Sequence, residues 1–229
     1  MRRSDIQRLA EARSARRPLA MLTWLRSGET RLVAPGEVIE QPELATTVAD
    51  GFRRDQSGIV RLSDGGEVFV TIHNPRLRMI LVGAVHISQA LIPLARAVGY
   101  DVVVIDPRTA FATAERFEGV AIDARWPDEA LPEIGVDSRT AFVALTHDPK
   151  IDDPALAFAL ARDPFYIGAL GSKKTSASRR ERLVKSAVPE AAVARIHGPI
   201  GLDIGATGAA EIAISIMAEV TGVLRGRVV

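Results

Sequence analysis

The chain lacks cysteine, carries almost no net charge and contains no long apolar run. Without cysteine among its 229 residues, it has no disulfides, thiolate metal sites or cysteine nucleophile, which is compatible with the cytoplasm, where we expect it. A formal net charge of +1 gives no field that favours nucleic acid or a membrane surface. No uncharged segment approaches the roughly 18 apolar residues of a membrane helix. We therefore expect a soluble protein that recognises its partners through local contacts.

The first twenty residues are rich in arginine, as an organelle transit peptide would be. Asp5 and Glu11 interrupt this segment, and it has no apolar stretch of the secretory kind. We therefore favour the exposed face of a first helix over a targeting signal. The whole chain has 47% hydrophobic and 25% charged residues, which is the balance of a folded globular protein.

Residues 1–75 predict a small N-terminal α+β domain. Two hairpins are indicated by the turn signals Ser27-Gly28 and Asp64-Gly65-Gly66. Between them, apolar residues at helical spacing indicate a short helix. The predicted elements are strands at 20–24 and 30–33, a helix at 42–52, and strands at 58–62 and 68–73.

Residues 76–229 predict an α/β domain with a Rossmann-like, mostly parallel sheet and helices on both faces. Met79-Ile80-Leu81-Val82 is a continuous apolar run, as expected for a parallel strand that is covered on both sides. Strands then alternate with helical patterns, which implies right-handed crossovers. Further strands are expected at 102–105, 120–122, 142–145 and 166–169, and helices at 87–98, 154–161, 174–186, 189–196 and 209–224.

Two polar segments follow the last two predicted strands. His147 and Asp148 come directly after the first of these strands, and Gly171-Ser172-Lys173-Lys174-Thr175 comes after the second. Open α/β sheets bind their ligands at the carboxyl ends of the strands, so the two loops predict one shared site. The backbone N–H groups and lysines of the second loop favour an anion; the alternative is a solvated basic helix start. It is not a Walker A loop, because Gly168 and Gly171 are too close together.

His147, Asp148, Asp152 and Asp153 are residue types that bind metal ions. Asp152 and Asp153 precede Pro154, and an acidic cap followed by proline is also typical of a helix N-terminus. We therefore favour helix capping for that pair. His147 and Asp148 have no packing reason to follow a buried strand. We therefore treat them as candidate cofactor-binding residues and assign no metal site.

The turn from Gly83 to Ser88 lies where a dinucleotide-binding fold places its glycine-rich fingerprint, and Asp106 lies where the ribose-binding acid belongs. The second glycine is replaced by Val85, whose β-branched side chain crowds the approach to a pyrophosphate. This disfavours NAD(P) and favours a Rossmann scaffold without its usual ligand. His86 either donates to a phosphate or fills the mouth of the cleft. Arg108 either binds an anion or pairs with Asp106 to brace the loop.

Five sequence segments between Met79 and Glu219 occur in an order that resembles the XdhC family (XdhC/CoxI), the xanthine dehydrogenase accessory proteins. The matching segments are GAVHISQAL, VIDPR, LTHDPKIDDPAL, YIGALGSKKT and HGPIGLDIGATGAAEIAISIMAE. The resemblance implies an accessory factor rather than an enzyme, with no catalytic residues of its own. Such a factor binds the molybdenum cofactor (molybdopterin) as cargo and holds it during sulfuration by a cysteine desulfurase. It then delivers the cofactor to a xanthine dehydrogenase-type molybdenum hydroxylase.

We expect the cofactor to contact residues at the ends of four predicted strands, and fold-level analogy allows a homodimer. Val85 and Ser88 replace small residues of the family's first turn, and Asp64-Gly65-Gly66 stands where relatives often have Cys-Gly-Gly. A cysteine contact to molybdenum is therefore excluded. The candidate cofactor-binding residues are Gly83, His86, Asp106, Arg108, His147, Asp148, Gly171, Ser172, Lys173, Lys174 and Thr175.

Overall fold

The computed structural model describes residues 3–111, 113 and 115–227. The chain divides into two compact units, residues 1–75 and 76–229. Among the described residues, no helix combines the length and the apolar character needed to cross a bilayer.

The first unit is a four-stranded antiparallel sheet with the order β2-β1-β4-β3. Leu44 and Val48 of α2 are buried together with sheet residues such as Leu22 and Val70, so this helix covers one face of the sheet. Both predicted hairpins are present, and the Leu62 N–H, which donates to the Gly66 carbonyl over 2.8 Å, closes the second turn. The elements are α1 Arg3–Ser14, β1 Leu19–Trp24, β2 Thr30–Val33, α2 Pro42–Arg54, β3 Gly58–Arg61 and β4 Glu67–His73.

The second unit contains a six-stranded, fully parallel sheet, which confirms the predicted Rossmann-like fold. The strand order is β10-β9-β8-β5-β6-β7. The strands are β5 Arg78–Val82, β6 Asp101–Ile105, β7 Ala121–Asp123, β8 Thr140–Ala144, β9 Tyr166–Ala169 and β10 Ile196–His197. The helices are α3 His86–Ala97, α4 Pro127–Ile134, α5 Pro149–Leu160, α6 Lys173–Lys185, α7 Glu190–Val193 and α8 Ala209–Leu224.

Helices cover both faces of this sheet, as the apolar strand sequences require. Alternate residues of β5 belong to different cores: Met79 and Leu81 pack with residues of α3 and α8, whereas Ile80 and Val82 pack with residues of α4 and α5. Successive side chains of a strand point to opposite faces. Residues buried on both faces of a strand are apolar, which is why Met79–Val82 of β5 lacks the alternation of a half-exposed strand.

The structure differs from the sequence prediction in three elements. Helix α5 begins at Pro149 rather than Pro154, because Asp148 supplies the N-cap and Pro149 occupies the first helical position. Helix α4 was not predicted; it has only eight residues, and two of them are Pro127 and Pro132. The helix expected at 189–196 is shortened to α7, Glu190–Val193. Ile196, the last residue of the expected helix, instead begins the short strand β10.

Candidate functional site

The candidate site lies at the carboxyl ends of β5, β8 and β9. Strands β5 and β8 are neighbours, with Val82 paired to Ala144, yet the chain continues from them toward opposite edges of the sheet. Such a topological switch point opens a crevice at the carboxyl ends of the strands, where ligands of this fold class bind. Strand β9 flanks β8, and the Leu170 N–H donates to the Ala144 carbonyl over 2.8 Å. The turns that follow these three strands therefore lie side by side along one edge.

The turn after β5 is closed by contacts within the protein. Gly83 has a φ of +120°, and an added Cβ would lie 3.0 Å from Thr146 Cγ2 and 3.2 Å from the Thr146 backbone nitrogen. Glycine is therefore required for the close packing of this turn against the end of β8. Ser88 is fully buried, and its hydroxyl donates to the Gly83 carbonyl. His86, the first residue of α3, is exposed at the mouth of the crevice.

Asp106 and Arg108 form the bracing pair, which was one of the two alternatives for Arg108. Asp106 is fully buried. Its carboxylate accepts hydrogen bonds from the Ala84 N–H over 2.7 Å and from Arg108 Nε and Nη2 over 2.9 and 2.8 Å. Burial raises the pKa of Asp106, but the hydrogen bonds from Arg108 and Ala84 outweigh it, so the pKa lies below its ordinary value. Because this edge of the guanidinium is occupied, any contact of Arg108 with a ligand has to come from its remaining atoms.

The loop after β8 is organised by two aspartates with different partners. Asp148 caps α5, since its Oδ1 accepts from the Lys150 N–H over 2.9 Å. Asp152 is buried and accepts from the Thr146 hydroxyl over 2.7 Å and from the His147 N–H over 3.1 Å. The expectation that Asp152 and Asp153 cap a helix at Pro154 is therefore wrong, because these residues lie inside the first turns of α5. Among the described residues, no group of three or more His, Cys, Asp or Glu side chains is suited to a metal ion.

Asp152 and Arg179 connect the loop after β8 to the loop after β9. Arg179, on α6, is 2% exposed; its Nη2 donates to the Leu170 carbonyl over 2.8 Å and lies 3.8 Å from Asp152 Oδ2. Its Nε and Nη1 atoms are buried and have no hydrogen-bond partner within the described part of the chain. Burial raises the pKa of Asp152 in spite of these contacts and lowers that of Arg179. Nothing in the sequence pattern indicated this buried link, since Arg179 lies in a polar, arginine-rich helix.

The turn after β9 keeps its polar groups at the surface. Ser172 caps α6 by accepting from the Thr175 N–H over 3.2 Å, and the two side-chain oxygens are 3.0 Å apart. Lys173 and Lys174, the first two residues of the helix, are exposed. Gly171 has a φ of +148°, and an added Cβ would approach the Thr175 side chain to 3.0 Å. The turn thus presents the N–H groups of Lys173 and Lys174, which have no acceptor among the described residues, together with two ammonium groups.

The remaining candidates lie near this edge but make different contacts. His147 is exposed and has a φ of +60°, an uncommon backbone conformation for a residue other than glycine. Asp153 is not one of the groups available at this edge, because its carboxylate accepts hydrogen bonds from Arg182 Nε over 2.6 Å and Nη2 over 3.0 Å. The charges of Asp148 and Asp152 contribute, after hydrogen bonding to Asp106, to the raised pKa of Arg108. The carboxylates of the loop after β8 therefore favour the charged form of Arg108.

A second polar cluster lies on β9, β10 and α8. Glu219 is 7% exposed, and it accepts hydrogen bonds from the Tyr166 hydroxyl and from the Gly201 N–H over 2.9 Å. His197 Nδ1 is 3.1 Å from Glu219 Oε1, and its ring stacks on Tyr166 at 4.7 Å between centroids. Burial raises the pKa of Glu219, but these hydrogen bonds outweigh it and lower the pKa overall. The sequence pattern did not indicate this group, whose members are up to 53 positions apart.

This strand order, with crossover helices on both faces and a crevice at the switch point, defines a Rossmann-like protein. The family model of the XdhC Rossmann domain matches residues 79–220, which is well over half of the chain. The chain therefore belongs to the XdhC family.

Two curated relatives place this match in context. The chain is 33% identical over 154 residues to a probable xanthine dehydrogenase subunit of Bacillus subtilis and 31% identical over 149 residues to the molybdenum cofactor insertion chaperone PaoD of Escherichia coli. These matches include 67% and 65% of this chain but only 44% and 41% of the relatives, so the chain spans less than half of their length.

A crystal structure supports the fold over nearly the whole chain. A protein described as a xanthine dehydrogenase from Bacillus halodurans aligns with a TM-score of 0.70 and 24% identity. The alignment covers 98% of this chain and 67% of that chain. At this level of identity, the similarity concerns the fold alone.

Proposed function

We propose that this chain is a molybdenum-cofactor chaperone that binds the cofactor at the carboxyl edge of its parallel sheet. Its membership of the XdhC family and its similarity to a relative named as a molybdenum cofactor insertion chaperone support this function. The observation that carries the site is the adjacency of the turns after β8 and β9, which share the Leu170–Ala144 hydrogen bond. We assign no catalytic residue, because holding and transferring a cofactor requires binding groups rather than a tuned acid and base.

The turn after β9 fits the phosphate of molybdopterin. A phosphate ester is an anion, and the first N–H groups of α6 have no acceptor within the helix. Lys173 and Lys174 add two exposed positive charges at the same helix end. Ser172 and Thr175 place hydroxyl groups beside them. Gly83 and His86 border the same edge from the turn after β5, so in this proposal they line the far side of the crevice.

The loop after β8 fits the hydrogen-bonding edge of a pterin. Asp148 uses Oδ1 as a helix cap, while its Oδ2 accepts no hydrogen bond from the described residues. A carboxylate oxygen is a suitable acceptor for the ring N–H and amino groups of a pterin. His147 is exposed next to it and can donate or accept. Asp106 acts indirectly in this proposal, because it holds Arg108 at the mouth of the crevice.

The cellular steps follow from the family relationship rather than from contacts within this chain. In this proposal the protein holds the cofactor during sulfuration by a cysteine desulfurase and delivers it to a xanthine dehydrogenase-type molybdoenzyme. The similarity to a relative named as a probable xanthine dehydrogenase component supports such a partner. The protein acts in the cytoplasm, where these partners fold, and we include a homodimer as its working assembly.

Anaerobic calorimetry with molybdopterin and the full chain tests the proposal. We expect a stoichiometry near one cofactor per chain. The double variant Lys173→Ala with Asp148→Asn should bind about tenfold more weakly, a loss of about 1.4 kcal/mol. It lacks one phosphate contact and one pterin contact, while asparagine still caps α5. Absence of binding by well-folded, unaltered protein would reject the function.

A matched variant controls for charge. Lys185→Ala with Asp163→Asn changes the same residue types at exposed positions, at the end of α6 and just before β9, and both positions lie away from the carboxyl edge. It should bind molybdopterin like the unaltered protein. Equal weakening in both double variants would mean that net electrostatics, rather than this site, determines the affinity.

The alternative, an NAD(P)-dependent oxidoreductase, requires a free acidic side chain for the ribose. Asp106 is the residue in that position, and its two oxygens accept bonds from Ala84 and Arg108. A ribose hydroxyl would have to displace one of these donors. Titration of NADH and NADPH followed by fluorescence separates the two functions, since micromolar binding of either nucleotide would favour the oxidoreductase.

A further inference from the structure

The loop after β6 places an exposed aromatic ring beside the crevice. Phe111 is 44% exposed, although large apolar side chains are generally buried. The guanidinium carbon of Arg108 lies 4.7 Å from the centre of its ring. Phe117, six residues further along, is 3% exposed and belongs to the core formed with α3 and α8. One phenylalanine therefore anchors this loop, and the other remains outside.

Polar contacts hold Phe111 in this exposed position. Its N–H donates to the Arg108 carbonyl over 2.9 Å, and its carbonyl accepts from Arg116 Nη1 over 2.9 Å. Arg116 is in turn hydrogen-bonded to Gln89 of α3, both through its Nη2 and through its carbonyl. Arg116 thus connects the backbone of Phe111 to the first turns of α3. Since these bonds fix the backbone and leave the ring uncovered, burial of the ring does not explain its position.

The contacts of Arg108 relate this ring to the candidate site. Asp106 connects the Arg108 guanidinium to the Ala84 N–H, in the turn after β5. On the other side, the charges of Asp148 and Asp152 act on Arg108 from the loop after β8. The guanidinium is therefore held next to the turn after β5, one of the two strands that border the switch point, and Phe111 lies directly against it.

We infer that Phe111, backed by Arg108, is a stacking surface for the flat heterocycle of the bound ligand, with a pterin as its occupant. This inference rests on the proposed function. Aromatic and guanidinium planes are the surfaces on which flat heterocycles stack, and the uncovered part of the phenyl ring is free for such a contact. Asp148, in the loop after β8, supplies the acceptor for the edge of the same heterocycle in this arrangement. The turn after β9 then receives the phosphate.

Three probes with the full-length protein separate the parts of the ligand. These are molybdopterin, 6-hydroxymethylpterin, which has the ring without the phosphate, and inorganic phosphate, with binding followed by pterin fluorescence and by competition. Phe111→Ala should weaken both pterin probes about tenfold or more, the order found when an aromatic stacking partner is replaced by alanine. It should leave the competition by phosphate unchanged. Phe111→Tyr should restore the affinity for both pterin probes.

A second exposed phenylalanine provides the control. Phe69→Ala, at a 38% exposed position on β4 of the first compact unit, should not change the binding of any probe. The inference is overturned if Phe111→Ala binds both pterins like the unaltered protein, or if it loses pterin and phosphate affinity equally. Cytidine monophosphate serves as a fourth probe, and the inference is also overturned if the binding of this nucleotide, rather than that of the pterins, depends on Phe111.

The outcomes distinguish this inference from the proposed function. If the unaltered protein binds molybdopterin and Phe111→Ala binds it equally well, the chaperone proposal stands and the stacking surface fails. If 6-hydroxymethylpterin binds through Phe111 and molybdopterin does not bind, the stacking surface stands and the chaperone proposal fails. If the unaltered protein binds neither pterin, both fail.

Discussion

The turns that follow β5 and β9 have the same backbone plan but use their polar groups differently. Each has a glycine at positive φ, Gly83 or Gly171, between a buried parallel strand and a helix. In the first turn, the Ala84 N–H binds the carboxylate of Asp106, and the Gly83 carbonyl accepts from Ser88. In the second, the polar side chains remain at the surface. The first turn is therefore closed by the protein itself, and the second is open to a ligand.

This difference shows how a Rossmann-like scaffold can move its anion site. The turn after the first strand is the usual phosphate position of the fold. Here the N-cap is Val85, which has no side-chain acceptor, and the neighbouring N–H is already bound. The turn after β9 instead has a serine cap and two lysines at the helix end. Anion binding at α6 rather than α3 is consistent with this redistribution, and three experiments test the comparison.

The largest loss of stability is expected from a change at Arg179, which donates a hydrogen bond to Leu170 at the start of the open turn. Replacing it by methionine in Arg179→Met removes the bond to the Leu170 carbonyl and leaves Asp152 buried without its positive neighbour. Breaking a buried pair in this way costs about 3 kcal/mol of unfolding free energy or more. Urea denaturation of the full chain measures this loss.

Arg182→Met is the matched control on the same helix. Arg182 pairs with Asp153, but its side chain is 38% exposed, so its loss should cost less than about 1 kcal/mol. Equal losses in the two variants would show that Arg179 and Asp152 do not connect the loops in the way described.

The chain's periodicity predicted every strand of the described residues except β10, and most helices. The central parallel strands are recognisable because both faces of the sheet are buried and these strands are largely apolar. Met79–Val82 illustrates this, since all four residues are buried. The sequence also located the polar ends of these strands, since His147 and Lys173 come two and three residues after apolar runs. The family resemblance added the expected ligand class, which strand and helix patterns do not contain.

Long-range partners could not be predicted in this way. The choice between capping and another role for Asp152 depends on Thr146 and on Arg179, which is 27 positions away on another helix. The sequence pattern Asp-Asp-Pro predicted a helix cap at Asp152 and Asp153, because local preferences are visible in sequence. In the structure, Asp148, one turn earlier, is the N-cap of α5 instead. Likewise, the exposure of Phe111 and the burial of Phe117 follow from how one loop meets α3.

A smaller loss of unfolding free energy is expected when Asp106, which closes the turn after β5, is protonated. Because the folded-state pKa of Asp106 is lowered, its contribution to stability is present above its unfolded pKa of about 3.9 and is lost as the pH falls through the folded value. Asp106→Asn should lose on the order of 1.5 kcal/mol at pH 7, the scale of a hydrogen bond to a charged group.

The pH dependence provides the check for this prediction. Thermal unfolding followed from pH 7 to about 3 should show a steeper loss for the unaltered protein than for Asp106→Asn, so that the two curves converge in acid. Parallel curves would show that the carboxylate charge does not hold this turn. Glu219 remains unchanged in both proteins, so its own lowered pKa contributes equally to each.

The smallest effect is expected at the cap of the open turn. Ser172→Ala removes the acceptor of the Thr175 N–H and should lower the unfolding free energy by about 1 kcal/mol, the usual cost of losing a serine cap. Ser178→Ala, at an exposed position within α6, should be neutral or slightly stabilising, because alanine has the higher helix propensity. A molar excess of inorganic phosphate should stabilise the unaltered protein more than Ser172→Ala, since a ligand that binds the folded state raises its stability. If phosphate stabilises both proteins equally, the cap of α6 has no part in holding an anion, and the contrast between the two turns loses its functional meaning.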